Sequence, residues 1–126
     1  MISLEELKTI SKKLKIDESV VAREYIQILF LNELYSQSFS EDIFFKGGTA
    51  IRLIYAGTRF SEDLDFTVNT NVKDFEESLN KFLSSLSNKY LIKWKEKESV
   101  AGKTYLLTAT IPGFKTDIFV RLDFSF

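Results

Sequence analysis

The stretch FKGGTAIRLIYAGTRFSEDLDFTV, residues 45–68, carries the features that decide the fold. A short apolar run with β-strand composition, Ile43 to Phe45, leads directly into Lys46-Gly47-Gly48-Thr49. Two adjacent glycines allow a close backbone approach and positive φ angles. The following segment, Ala50 to Tyr55, has the spacing of a short helix. The stretch therefore predicts a strand, a glycine turn and a helix in immediate succession.

The glycine turn is a candidate phosphate-binding site. The first turn of a helix presents unpaired N–H groups and the positive end of the helix dipole, which suit phosphate. The hydroxyl of Thr49 can add a further donor. The alternative is a tight strand-to-helix turn that binds no ligand, and a Gly-Gly pair alone favours that alternative.

Asp63-Leu64-Asp65 leads into the next predicted strand, Leu64 to Val68. Because side chains alternate along a strand, Asp63 and Asp65 share one face while Leu64 and Phe66 point to the core. Two neighbouring carboxylates repel each other, and a shared Mg²⁺ ion would relieve that repulsion. The alternative is the solvent-exposed face of an edge strand.

A third carboxylate lies in the last predicted strand, Asp117 to Phe126. Alternation puts Asp123 on the same face as Asp117 and Arg121. Asp123 stands beside the Asp63/Asp65 pair if the two strands are neighbours; the alternative is a solvated polar face. We expect Asp117, at the start of the strand, to have a role in a turn or cap.

Four basic residues lie near these motifs: Lys46, Arg52, Arg59 and Arg121. Phosphate chemistry needs cations beside the carboxylates. Arg59 is the strongest functional candidate because it lies in the segment leading to Asp63. For Arg52 and Arg121 an ordinary surface or salt-bridge role is favoured.

The remaining patterns complete an α-α-β-α-β-α-β-β-β order. Helices are predicted over 3–14, from a cap at Asp17 to about Gln37, and over Val72–Leu86; strands are predicted over Tyr90–Lys97, Thr104–Ile111 and Asp117–Phe126. A mixed sheet with helices packed on it satisfies this order best, which is an α+β fold. We expect a single domain over 1–126, with an N-terminal helical segment (1–40) and a sheet core that carries the motifs (41–126).

Composition excludes several classes of function. With no Cys and no His, thiolate or imidazole metal sites and a Ser-His-Asp triad are excluded, so any metal must be held by carboxylates. The 17 Lys and Arg balance 18 Asp and Glu, which argues against general salt-driven nucleic-acid binding but leaves local basic clusters open. The chain has no signal-peptide pattern and no apolar stretch long enough for a membrane span, which predicts a soluble cytoplasmic protein.

The combination of these motifs resembles the nucleotidyltransferase superfamily. Gly48-Thr49 is followed by thirteen residues and then by Asp63-Leu64-Asp65, as in the Gly-Gly/Ser/Thr turn, helix and Asp-x-Asp signature of that superfamily. The longer strings 45–55 and 59–66, with the helix over 21–34 before them, resemble the AbiEii/AbiGii toxin family of toxin–antitoxin systems.

The resemblance implies a polymerase-β-like fold and Mg²⁺-dependent transfer of a nucleotide from a nucleoside triphosphate, in some members onto the acceptor end of tRNA. It implies metal ligation by Asp63, Asp65 and Asp123, and triphosphate binding at Gly47, Gly48 and Thr49, with phosphate or structural roles for Lys46 and Arg59. It also implies a cognate antitoxin as a candidate partner. Members of the family usually continue into a further helical region, which we expect beyond residue 126.

Three alternatives remain open from the sequence. The acceptor could be a small molecule or a protein hydroxyl instead of RNA. The chain could be a catalytically incomplete remnant that binds a nucleotide or a partner, or a purely structural interaction domain. The nucleotide, the acceptor and the oligomeric state are not determined.

Overall fold

A computed structural model describes residues 1–55, 60 and 62–126. The helices are α1 (Leu4–Leu14), α2 (Glu18–Tyr35), α3 (Gly47–Tyr55) and α4 (Val72–Lys89), and the strands are β1 (Ile43–Lys46), β2 (Asp63–Val68), β3 (Ile92–Lys97), β4 (Lys103–Ala109) and β5 (Ile118–Ser125). A short 3-10 helix, Ser38–Asp42, precedes β1 and was not predicted. The α+β fold and the order of its main elements are confirmed.

Side-chain caps start three of the helices where the sequence predicts them. Ser3 and Glu6 form a reciprocal capping box at α1. The Asp17 carboxylate accepts from the N–H of Ser19 at α2, and the Asn71 side chain accepts from the N–H of Asp74 at α4. These oxygens satisfy N–H groups that have no partner within the helix.

The five strands form one sheet in the order β1-β2-β5-β4-β3. Strand β2 pairs in parallel with β5, and the other neighbouring pairs are antiparallel. The strand that carries Asp63 and Asp65 therefore lies between β1 and β5. The alternative interpretation of these residues, the exposed face of an edge strand, is wrong.

One face of the sheet packs against α2 and α4. Leu64 and Phe66 of β2 are fully buried on this face. The ring of Phe30 from α2 lies 6.3 Å from Phe66 of β2, and the ring of Phe75 from α4 lies 4.8 Å from Phe124 of β5, so aromatic contacts join both helices to the sheet. The opposite face, here called the open face, carries the residues that alternate with the buried ones along each strand. One of them is Phe119, which is 53% exposed. The acidic residues of β2 and β5 belong to the open face.

Helix α3 begins earlier than predicted, at Gly47 instead of Ala50. Gly47 has a φ of +86°, which a residue with a side chain rarely adopts. This conformation turns the chain from β1 directly into the helix, so both glycines belong to its first turn. Helix α4 also continues past the predicted Leu86 to Lys89. Within the described part of the chain, no helix is long and apolar enough to cross a membrane.

Candidate active site

The register between β2 and β5 brings the three candidate carboxylates together. Asp65 and Asp123 are Cα partners across this parallel pair, and Asp63 is the partner of Arg121. Neighbouring strands lie about 4.8 Å apart, and residues in register project to the same face. The carboxylates of Asp63, Asp65 and Asp123 therefore share one part of the open face.

Burial and mutual repulsion act on the two carboxylates of β2. Burial raises the pKa of Asp65, and the negative charges of Asp123 and Asp63 raise it further. The pKa of Asp63 is raised by burial and then by the charge of Asp123. Lys46 and Arg121 oppose the shift at Asp65. Negative charge is thus concentrated here beyond what the nearby cations offset.

Two neighbours hold the carboxylate of Asp123. The hydroxyl of Thr104, a buried residue on β4, donates to Asp123 Oδ1 over 2.8 Å. Arg121, two residues earlier on β5, places its Nε 3.1 Å from the same carboxylate. The sequence-based prediction omitted Thr104. Only its pairing opposite Asp123 across β4 and β5 identifies it, because that pairing joins residues distant in the chain.

The donor set suits a hard divalent cation. Carboxylate oxygens are the ligands that Mg²⁺ prefers, and a cation between these groups would relieve their repulsion. In residues 1–55, 60 and 62–126, no group of three or more acidic side chains is gathered closely enough to hold a metal ion. The Asp123 carboxylate is instead paired with Arg121. The chemistry of the donors therefore fits Mg²⁺, with Asp123 engaged by a competing cation.

The glycine turn lies directly against Asp65. A Cβ atom built on Gly47 would lie 2.7 Å from Asp65 Oδ2 and 3.2 Å from its Cβ. Only glycine leaves room for this contact, and only glycine readily adopts the positive φ found here. The backbone N–H groups of Gly48 and Thr49 lie in the first turn of α3, where such groups have no partner within the helix. The turn is thus in direct contact with the carboxylate of Asp65.

The side chain of Thr49 serves the fold. It is buried, and its hydroxyl donates to the backbone carbonyl of Asp63. This hydrogen bond ties the start of α3 to the start of β2. The hydroxyl of Thr49, which the sequence suggests as a donor to a ligand, is therefore already used in this hydrogen bond. The group of Thr49 that remains for a ligand is its backbone N–H.

Of the predicted basic residues, Arg121 pairs directly with a carboxylate, and Lys46 lies on β1, the other neighbour of β2. It is the Cα partner of Asp65, and its Nζ lies 3.4 Å from the hydroxyl of Ser125. Arg52 pairs with Glu24 at 3.1 Å and lies over the ring of Phe60, so the favoured salt-bridge role is found for this residue. Arg59, the strongest candidate from sequence, lies outside the described residues.

An ion pair between α2 and the residue before β2 was not predicted. Arg23 of α2 lies 3.5 Å from Glu62, and its charge lowers the pKa of Asp63 against the larger effect of burial. Among the residues that the structure describes, the buried Nε of Arg23 has no hydrogen-bond partner. No local motif marks Arg23, because it reaches the site only through the packing of α2.

The fold and this arrangement of carboxylates around a glycine turn define a nucleotidyltransferase-like domain. A family model described as "Nucleotidyl transferase AbiEii toxin, Type IV TA system" matches residues 29–126. The chain belongs to this family, as the resemblance of its motifs predicted.

Solved structures share the fold at low sequence identity. JHP933 from Helicobacter pylori superposes with a TM-score of 0.64 at 20% identity, over 87% of this chain and 45% of its own. A candidate nucleotidyltransferase from H. pylori gives 0.64 at 23% identity, over 87% of this chain and 46% of its own. The chain thus spans less than half the length of these two proteins. No curated protein sequence matches it.

Proposed function

We propose that this chain carries the nucleotidyl-transfer site of an AbiEii-type toxin. The site takes a nucleoside triphosphate and transfers its nucleotide, with Mg²⁺, to the hydroxyl of an RNA acceptor such as tRNA. The type IV toxin–antitoxin family supports the triphosphate substrate and a cognate antitoxin as partner.

The observation that carries the proposal is the register of Asp65 with Asp123 beside the glycine turn. Two carboxylates on one strand and a third on its parallel neighbour form a hard-oxygen donor set. The first turn of α3 lies in contact with that set through Gly47. Metal-assisted phosphoryl chemistry needs both features within one site, since the cation must reach the phosphate that the turn holds.

In the proposed reaction the backbone N–H groups of Gly48 and Thr49 bind the triphosphate, as helix N-termini bind phosphate. Lys46, the register partner of Asp65, adds positive charge beside the phosphates. Asp63, Asp65 and Asp123 are the residues that would hold Mg²⁺. When bound, Mg²⁺ neutralises phosphate charge and lowers the pKa of the attacking hydroxyl.

The acceptor oxygen forms a bond to the α-phosphorus, and the bond from that phosphorus to the pyrophosphate oxygen breaks. Asp123 accepts the proton of the acceptor hydroxyl, which makes it the general base. Pyrophosphate leaves on the side of the glycine turn. For Asp123 to act, its carboxylate must be released from Arg121.

The test is nucleotide incorporation by Asp65→Asn. Each of the four α-labelled triphosphates is incubated with the chain, total RNA and Mg²⁺, and label in RNA is measured. We expect the substitution to abolish incorporation, because it removes one negative charge from the donor set and keeps the side-chain shape.

Asp117→Asn is the matched control. Asp117 is exposed just before β5 and accepts a hydrogen bond from Thr110, so the substitution removes the same charge outside the site. We expect it to retain wild-type incorporation. Equal incorporation by wild type and Asp65→Asn would refute the assignment.

The alternative is a catalytically incomplete remnant that binds a nucleotide or a partner. The ion pair between Arg121 and Asp123 favours it, because this pair engages the third carboxylate. Stabilisation by triphosphate with Mg²⁺, without labelled product for any acceptor, would select this alternative.

A further inference from the structure

Strand β3 carries a row of three lysines on the open face. Lys93, Lys95 and Lys97 alternate along the strand, and all three are exposed. The intervening Trp94 is half-buried on the other face, where its ring lies 6.1 Å from that of Tyr105. The alternation that packs Trp94 therefore directs the lysines away from the core.

The row begins at the level of the candidate catalytic carboxylates. Lys97 is the Cα partner of Thr104, Thr104 is the partner of Asp123, and Asp123 is the partner of Asp65. Two strand spacings, about 10 Å, separate Lys97 from Asp123. Lys95 and Lys93 continue the row toward the far end of the sheet, over about 13 Å in total.

The lysines of the row take part in no ion pair within the described residues. Among residues 1–55, 60 and 62–126, no carboxylate forms an ion pair with any of the three lysines, whereas the nearby Lys103 pairs with Glu76 and Glu96. The chain as a whole has a net charge of −1. The row is therefore a local concentration of positive charge.

A row of evenly spaced cations is complementary to a chain of phosphates. A nucleoside triphosphate held at the first turn of α3 lies on the far side of β5 and β4 from the row, so it does not account for these lysines. A nucleic-acid strand presents successive phosphates, and lysines contact them without reading the bases.

We propose that Lys93, Lys95 and Lys97 bind the phosphate backbone of the RNA acceptor and deliver its terminal hydroxyl to the carboxylates around Asp123. This inference rests on the proposed function for the identity of the acceptor. It predicts that RNA binding weakens as the salt concentration rises and does not depend on the base sequence of the RNA along the row.

Lysines on an edge strand have another common role, which is to prevent pairing with a second chain. Strand β3 is an edge of the sheet, so the experiment must separate the two roles. Substitution by glutamine removes the charges and retains most of the length of each side chain.

The experiment measures the affinity of the chain for a fluorescent single-stranded RNA by anisotropy, between about 50 and about 200 mM salt. The variant is Lys93→Gln/Lys95→Gln/Lys97→Gln. We expect roughly tenfold weaker binding at low salt, and a slope of log affinity against log salt that is flatter by about 2, since each phosphate contact on a single strand contributes about 0.7.

A matched control substitutes three lysines of α1: Lys8→Gln/Lys12→Gln/Lys13→Gln. These residues are also exposed, and their helix packs on α2 and not on the open face. The control has the same net charge as the test variant, and we expect its RNA affinity and salt slope to equal those of the wild type. Circular dichroism of both variants verifies folding.

Three results would overturn the inference: equal RNA affinity in the wild type and the β3 variant, an equal loss in both variants, or self-association of the β3 variant with unchanged RNA affinity. The last result would assign the lysines to protection of the edge. Binding is measured without triphosphate, so failure of nucleotide transfer leaves this test intact.

Discussion

Gly47 and Asp65 are in direct contact, because a Cβ atom on residue 47 would lie 2.7 Å from Asp65 Oδ2. The contact joins the turn between β1 and α3 to the strand that carries two of the acidic residues. It also gives a second reason, besides the φ angle of +86°, why this position needs glycine. A substitution here must disturb both the backbone and the carboxylate.

We expect Gly47→Ala to lower the free energy of unfolding by about 1–2 kcal/mol, the usual penalty for a side chain in the left-handed region. It should also reduce nucleotide incorporation, because the new methyl group displaces the Asp65 carboxylate. Urea denaturation and the incorporation assay measure the two effects.

Gly113→Ala is the control for this substitution. Gly113 has a φ of +82°, and its Cβ would contact the side chain of Leu4, away from the carboxylates. A comparable loss of stability with normal incorporation is expected. If both alanine variants lose the same activity, the contact with Asp65 has no functional role.

Thr104 is expected to act as a positioning residue for Asp123. Thr104→Val removes the hydroxyl that donates to Asp123 Oδ1, which should lower stability by about 1–2 kcal/mol. Activity should fall about 10–100-fold, as is typical when a group that orients a metal ligand is lost. Thr104→Ser keeps the donor. Both the activity and the Mg²⁺ concentration needed for half-maximal rate should therefore return to their wild-type values. A serine variant as inactive as the valine variant would contradict this role.

The raised pKa values of Asp63 and Asp65 predict that their ionisation opposes folding. Between the unfolded pKa and the higher folded pKa, the native state binds more protons than the unfolded state, so this contribution to stability falls as pH rises. Asp65→Asn should therefore raise the Tm at pH 7 in the absence of divalent ions. The gain should vanish at a pH below the ordinary value of 3.8, where the carboxyl is protonated in both states. Thermal unfolding of both proteins across this range measures the difference, and a lower Tm for the variant at pH 7 would contradict the prediction.

Arg121 is expected to compete with Mg²⁺ for Asp123. Arg121→Gln removes the cation 3.1 Å from that carboxylate, so Mg²⁺ should stabilise the variant at lower concentration than the wild type. Calorimetric unfolding at increasing Mg²⁺ measures this shift. Lys89→Gln, which breaks the exposed pair with Glu33, is the control and should leave the Mg²⁺ response unchanged. An unaltered response in Arg121→Gln would show that the ion pair does not limit metal binding.

Much of the fold could be predicted from local patterns. The capping box of Ser3 and Glu6 and the cap at Asn71 mark helix starts because they satisfy N–H groups within a few residues. Alternation along β2 assigns Asp63 and Asp65 to one face and Leu64 to the other, and the buried state of Leu64 confirms this. The start of α3 was predicted three residues too late, because a positive φ at Gly47 lets the helix include the glycines.

The composition of the site was predicted, and its geometry was not. Asp63, Asp65 and Asp123 were identified from motif and alternation, and their catalytic roles remain predictions. The sequence could not reveal that Thr104 donates to Asp123 or that Arg121 pairs with it. Nor could it show that Lys97 is aligned with Thr104 and Asp123 across the neighbouring strands.

By itself, the sequence determined which residues share a strand face and where helices begin, because these follow from backbone periodicity and from hydrogen bonds over a few residues. Only the tertiary structure decided that β5 lies between β2 and β4. This places Asp123 opposite Asp65 on one side and opposite Thr104 on the other. Strand order and register depend on which apolar faces are buried together under α2 and α4. That choice is made by the packing of the whole chain, and it brings residue 123 beside residue 65.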